Sequence, residues 1–189
     1  MKIKIRMILL TIGIIVSSCR QESKPLINST GENETPINEK YSYNVKGCEY
    51  SVSFNKKPQI SQSKADGITF ERAEVENSLS YMRCESIVYD DLSLLENIDK
   101  DYIFSVFDQY ANAEGLDNPG YDYEETELGK TAQMIAFKTI TRGQRVQVSK
   151  YVVRAYYGDR SAIFIYTLCP SDNWPTTEVQ EFLNSLKRT

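Results

Sequence analysis

The sequence predicts an α+β domain: a meandering antiparallel sheet of about seven strands covered by two helices. Three observations carry this. Short runs that alternate apolar and polar residues recur through most of the chain after residue 48, at the period of two that a half-buried strand requires. Two stretches replace that rhythm with apolar residues three and four apart, the spacing of a one-faced helix. Tight turn signals separate neighbouring strand runs, and strands joined by tight turns pair antiparallel.

The elements follow in order. Glu49 to Phe54 (EYSVSF) alternates Tyr50 and Val52 with polar residues and is ended by Lys56-Lys57-Pro58. Thr69 to Val75 and Leu79 to Tyr89 (LSYMRCESIVY) read as two more strands, with Glu76-Asn77 as the hairpin turn between them. From about Ile98 to Glu114, the residues Ile98, Tyr102, Ile103, Val106, Phe107 and Tyr110 form one helical stripe, and Gly115 is its natural stop. Asn118-Pro119-Gly120 is a turn signal. Four strands follow it: about Tyr123 to Leu128, Thr131 to Ile140, Arg145 to Tyr157 and Ser161 to Leu168. Gly143 and Gly158-Asp159 mark the last two hairpins. A closing helix opens at Pro175-Thr176-Thr177, with Thr177 and Gln180 in capping-box spacing and an apolar stripe of Val179, Phe182, Leu183 and Leu186. Each helix has one apolar face, so each must lie on the sheet.

The start of the chain has a different purpose. Lys2, Lys4 and Arg6 precede Met7 to Val16 (MILLTIGIIV), an apolar run shorter than the roughly 20 residues that span a bilayer. That is a signal-peptide core. It ends in Val16-Ser17-Ser18-Cys19, which resembles the bacterial lipobox: a branched apolar residue, two small residues, then cysteine. The resemblance implies lipidation of the Cys19 thiol, removal of residues 1–18 and anchoring by the attached acyl chains, since two or more hold a protein stably where one does not. Arg20 stands where an aspartate often marks inner-membrane retention, which favours the outer membrane, facing the periplasm. Residues 20–40 (RQESKPLINSTGENETPINEK) contain only Leu26, Ile27 and Ile37 as large apolar residues, too few to fold. As a flexible tether this stretch would span roughly 25 Å. Residues 41–189 remain as one domain, long enough to bury about 70% of its unfolded surface.

Charge narrows the partners. The chain carries −4, and loss of the three cations of the signal leaves the mature protein near −7. Nucleic-acid binding needs a basic footprint, so it is not expected; nor is electrostatic adhesion to anionic lipid headgroups.

The run CEYSVSFNKKP, the hairpin ending in an aromatic-rich strand, the amphipathic helix, the strands closing on YYGDRSAIFIYTL and the final EFLNSL together resemble the PsbP-like superfamily over nearly the whole of residues 41–189. A proline that often follows the first strand directly is displaced here to Pro58. The resemblance implies a compact sheet flanked by helices and a role in binding or assembly. It brings no catalytic residues, because that family shares none.

Chemistry is bounded by absences. With no histidine in the chain, Ser-His-Asp and Cys-His catalysis and histidine-ligated metal sites are excluded. No catalytic, cofactor or metal residues are assigned. After Cys19 the cysteines are Cys48, Cys84 and Cys169, without C-x-x-C spacing. In an oxidising periplasm two should pair; the expected disulfide is Cys48–Cys84, on strands of one N-terminal meander, leaving Cys169 as a small buried hydrophobe, with pairing through Cys169 as the alternative. Asp122, Glu124, Glu125 and Glu127 crowd one strand, but alternation divides them between two faces, as a solvated acidic edge rather than a calcium loop. Asp99 and Asp101 suit the first turn of the helix. Among thirteen tyrosines, Tyr81 and Tyr89 share one strand face and Tyr151 and Tyr157 another, as sheet packing or as a partner-binding patch. Trp174 is expected at the start of the last helix.

The expected function is therefore that of a monomeric, membrane-anchored lipoprotein with a non-catalytic binding or assembly role, its partner another envelope protein. Two alternatives stand beside it: an inhibitor or immunity protein, which would aim an exposed acidic loop at a partner's active site, and a histidine-free hydrolase, which would need paired carboxylates in a deep pocket.

Overall fold

The structure is a computed structural model, and it describes residues 40–44, 47–65, 67–96, 98–142 and 145–189. The signal segment, Cys19, the tether to residue 39 and the expected turn residue Gly143 lie outside the described residues.

Strands are the majority of the elements. In chain order they are β1 (Tyr41–Asn44), β2 (Tyr50–Phe54), β3 (Gln59–Ala65), β4 (Ile68–Glu76), β5 (Tyr81–Tyr89), β6 (Asp117–Thr126), β7 (Gly129–Arg142), β8 (Arg145–Tyr157), β9 (Ser161–Pro170) and β10 (Lys187–Arg188). Helix α1 (Lys100–Glu114) lies between β5 and β6, and α2 (Thr177–Leu183) between β9 and β10. Seven strands form one antiparallel sheet in the order β3-β4-β5-β9-β8-β7-β6. β1, β2 and β10 form a separate three-stranded sheet, also antiparallel. The expectation of an α+β fold on a seven-stranded antiparallel sheet with two helices is met. Its composition differs in one respect: EYSVSF belongs to the small sheet, and β3 takes the seventh place in the large one.

The order follows from the residues. β9 (SAIFIYTLCP) is apolar almost without a break and buried along nearly its whole length. Such a run belongs where both faces are covered, and β9 is the middle strand of the seven. Alternation across β9 divides the core in two. Ala162, Phe164 and Tyr166 face a cluster with Ile103, Phe107 and Tyr110 of α1. Ile163, Ile165 and Cys169 face the other, with Tyr50, Val52 and Phe54 of the small sheet and Val179 and Phe182 of α2. The molecule is thus three layers thick: α1, the large sheet, then the small sheet with α2.

Several sequence expectations shift. Asn118-Pro119-Gly120 does not turn; it is an irregular stretch within the edge strand β6, whose register against β7 shifts between Asp117 and Gly120 while Asn118 takes a φ of 50°. An edge strand tolerates a proline there because its outer N–H groups need no partner. The turn after β4 runs through residues 77–80, closed by Asn77 N–H on the Ser80 carbonyl at 2.8 Å, so Leu79 is exposed in the turn. Thr176, not Thr177, caps α2, its hydroxyl accepting from Val179 N–H at 3.3 Å. Asp99 is the cap of α1 itself, accepting from Tyr102 N–H at 2.8 Å, with Asp101 in the first turn and Gly115 closing the helix at φ 62°.

Hydrogen bonds fasten the small sheet to the large one. The Tyr43 hydroxyl donates to Glu71 at 2.6 Å, and the Tyr50 hydroxyl to the Leu128 carbonyl at 2.6 Å. Glu49 accepts from Arg160 N–H at 2.9 Å and from the Arg188 guanidinium at 3.0 Å, joining the β8–β9 turn to the last strand. Burial draws the Glu49 carboxyl upward, but those donors outweigh it and hold it below the usual carboxylate range.

Candidate functional site

Among the described residues, groups capable of chemistry gather in a buried polar centre under α1 and in an open cleft on the opposite face of β6, β7 and β8.

The buried centre is built from alternate positions of β4, β5, β8 and β9 with one residue of α1. Glu85 receives Arg72 Nε at 2.8 Å and Arg72 Nη2 at 2.7 Å, with Arg83 Nε at 3.6 Å from the same oxygen; its other oxygen accepts the Tyr166 hydroxyl at 2.8 Å. Arg83 donates to the Tyr110 hydroxyl at 2.6 Å and lies over Tyr166, its Cζ 4.1 Å from the ring centre. Tyr110 in turn shares a hydrogen bond with Tyr151. Two guanidiniums thus share one carboxylate, and the phenol oxygens and ring faces supply the rest of the solvation. Burial alone would weaken the Arg83 charge, but Glu85 and the surrounding phenols outweigh it and keep the group protonated. Burial, with Tyr151 beside Tyr110 and Glu85 beside Tyr166, raises both phenols well above the ordinary tyrosine value. These groups hold a helix on a sheet.

The cleft has a volume of about 460 Å³. Asp122, Glu124 and Thr126 of β6, the Glu127–Leu128 turn, Thr131 and Gln133 of β7, and Arg154 and Tyr156 of β8 line it. Arg154 is fixed by Nε donating to Gln133 at 2.8 Å and Nη1 to the Leu183 carbonyl, the last residue of α2, at 3.3 Å. The carboxylates of Asp122, Glu124 and Glu127 are exposed around it. The Thr126 and Thr131 hydroxyls are 3.0 Å apart and bond each other. The cleft sets one held cation inside an acidic rim.

The acids that the sequence grouped divide as expected. Asp122 and Glu124 point to the cleft and Glu125 to the opposite side, where it lines a second depression with Lys130 and Asp159. Among the described residues no group of three or more metal-ligating side chains converges. The tyrosines follow the packing alternative: eight of the thirteen are buried, Tyr89, Tyr151 and Tyr157 among them, while Tyr81 is partly buried and bonds Glu74 at 2.7 Å. Trp174 packs against the small-sheet core just before α2, with Lys150 Nζ 4.9 Å above its ring. Arg154 and the Arg72–Glu85–Arg83 centre are not singled out by sequence spacing; the one signal was the run of charges at positions 72, 83, 85 and 154 on strands otherwise rich in apolar residues.

Cys48, Cys84 and Cys169 are buried free thiols in the structure. All three belong to the core beneath the small sheet. Cys48 and Cys84 are not on neighbouring strands of one meander: Cys48 precedes β2 in the small sheet and Cys84 lies in β5 of the large one, so they meet across a core and not along a ladder. Burial pushes the Cys84 thiol well above its usual value.

No family model matches the chain, and no curated protein matches it. Among solved structures, a crystal structure of a protein from Bacteroides thetaiotaomicron VPI-5482 aligns with 81% of this chain at 8% identity and a TM-score of 0.39. The chain spans about half of that protein, 49% of its length.

Proposed function

We propose that this chain is a lipid-anchored envelope protein, held by Cys19 on the outer membrane with its domain in the periplasm, and that it binds a protein partner without catalysing a reaction. The observation that carries the binding role is the disposition of the charged side chains. The inward-facing ones, Arg72, Arg83 and Glu85, bond one another and nearby phenols, whereas the cleft around Arg154 presents exposed carboxylates to the outside. Groups solvated in this way suit recognition of a complementary charged surface. The three-layer arrangement and the two helices are compatible with the PsbP-like resemblance, which we retain as the finer description of the fold. In an oxidising compartment we expect Cys48 and Cys84, which share one core cluster, to close the disulfide.

A photo-crosslinker placed at Glu124 in living cells tests the binding role, with Ser61 on the far edge of the sheet as the control position. The expected result is a discrete adduct with one envelope protein at 124 and none at 61. Equal, diffuse labelling from both positions would count against the cleft as the binding surface. An adducted partner that is an enzyme or toxin, silenced by added purified chain, would instead select the inhibitor reading, which the acidic rim also favours.

A further inference from the structure

One face of the large sheet is covered only in part. Alternation and register put Asp122 and Glu124 of β6, Gln133 and Phe137 of β7, and Val148 and Arg154 of β8 on the side that carries the small sheet and α2. The cover reaches β8 at three points. The Trp174 ring meets Lys150 at 4.9 Å, the Leu183 carbonyl accepts from Arg154 at 3.3 Å, and the Tyr50 ring lies 6.3 Å from that of Tyr156. Beyond these points the face is open: Val146 is 65% exposed, Val148 44% and Phe137 36%, and the carboxylates of Asp122 and Glu124 are exposed.

The open strip has two ends of different chemistry. At one end Asp122, Glu124 and Glu127 set three carboxylates against one guanidinium, Arg154, which Gln133 and the Leu183 carbonyl already hold. Among the described residues none of the three carboxylates forms an ion pair. At the other end stand Phe137, Val148 and Val146, among the few large apolar side chains left in water. Thr131, the register partner of Glu124, and Phe137 are six residues apart on β7, which separates the two ends by about 20 Å.

Resting on the binding role proposed above, we propose that this strip seats a single segment of the protein partner, with lysines or arginines at its Glu124 end and apolar side chains at its Phe137 end. Charge complementarity selects this occupant. An apolar segment without cations would take water from three carboxylates and give nothing back. An anionic lipid surface is repelled by the carboxylates on the same face. A second copy of this chain, meeting the strip through its own strip, would bring carboxylates towards carboxylates. In a basic segment the cations steer the encounter and fix its direction, while burial of Phe137 and Val148 supplies apolar contact.

The test places a benzophenone amino acid at position 124 or at position 148 of the full chain in living cells, and sequences the crosslinked partner peptides by mass spectrometry. Both positions are expected to capture one segment of one protein, with lysine or arginine near the residue crosslinked to 124 and apolar residues near the one crosslinked to 148. With the crosslinker at 148, the Asp122→Asn/Glu124→Gln/Glu127→Gln variant is expected to yield about tenfold less adduct, because steering is lost. An adduct at 124 with none at 148, peptides from two different proteins, a captured segment without cations, a second copy of this chain, or an undiminished adduct at 148 in that variant would each overturn the proposal and leave the cleft as a binding surface. No adduct at 124 would overturn the proposal together with the binding role it rests on.

Discussion

Glu85 is the residue on which most of the buried charge depends. It neutralises one of two guanidiniums, and the phenols of Tyr110 and Tyr166 accommodate the other. Glu85→Gln keeps the shape and removes the carboxylate that the two buried guanidiniums share. The expected loss is about 3–5 kcal/mol in a denaturant titration, and Arg83→Met in the same background should restore much of it. A loss below about 1 kcal/mol would mean the arginines reach solvent. Little of this was legible beforehand. The sequence shows Arg72, Arg83 and Glu85 on strands, but pairing them requires the β4–β5 register, which places Arg72 opposite Glu85, and the β5–β9 register, which places Arg83 opposite Tyr166. Neither follows from spacing within one strand.

At the scale of elements, period and caps carried most of the information. α1 was legible because Ile103, Val106, Phe107 and Tyr110 form its buried stripe and Gly115 its left-handed end. Asp99→Ala removes the hydrogen bond to Tyr102 N–H and is expected to cost about 1 kcal/mol, read as a lower thermal midpoint, whereas Asp101→Ala should cost at most a few tenths. Equal effects would show that the first turn feels only charge and not the cap. β3 was not legible, because Gln59–Ala65 is exposed at every position and so has no apolar alternation to detect. The Asp-Gly pair at 66–67 was the available signal, being the favoured centre of a tight hairpin. β10 is two residues long and exists only because its partner β2 is there. The bulged start of β6 misled for a different reason: Pro and Gly signal a turn only where no strand edge can absorb them.

For the whole molecule, the division into two cores on either side of one sheet has a consequence at high pH. Burial raises Tyr151 and Tyr166 on the α1 side and Tyr43 and Tyr50 on the other, all above the ordinary value near 10. The unfolded chain then loses its phenolic protons first. The stability linked to these groups is fully present below pH about 10 and is lost as pH rises beyond it. The expected outcome is a flat unfolding midpoint from pH 7 to about 9.5, then a steep fall, with phenolate absorbance appearing together with loss of structure. Phenolate absorbance from most tyrosines in a still-folded protein would contradict their burial. The two-layered covering was half visible in the sequence: the apolar run of β9 required two covered faces, but only the structure assigns the small sheet to one of them.

Anchoring at Cys19 is the claim on which the functional reading turns, and it is open to one direct measurement. Cells expressing the chain or its Cys19→Ala variant are fed an alkyne fatty acid, and the purified proteins are reacted with an azide dye. The wild-type chain should carry the label, run at the size of the form cut before Cys19 and stay with the membrane fraction, while the variant should be unlabelled and uncut. Equal labelling of the two, or an unlabelled wild-type chain, would contradict a lipid anchor at this cysteine.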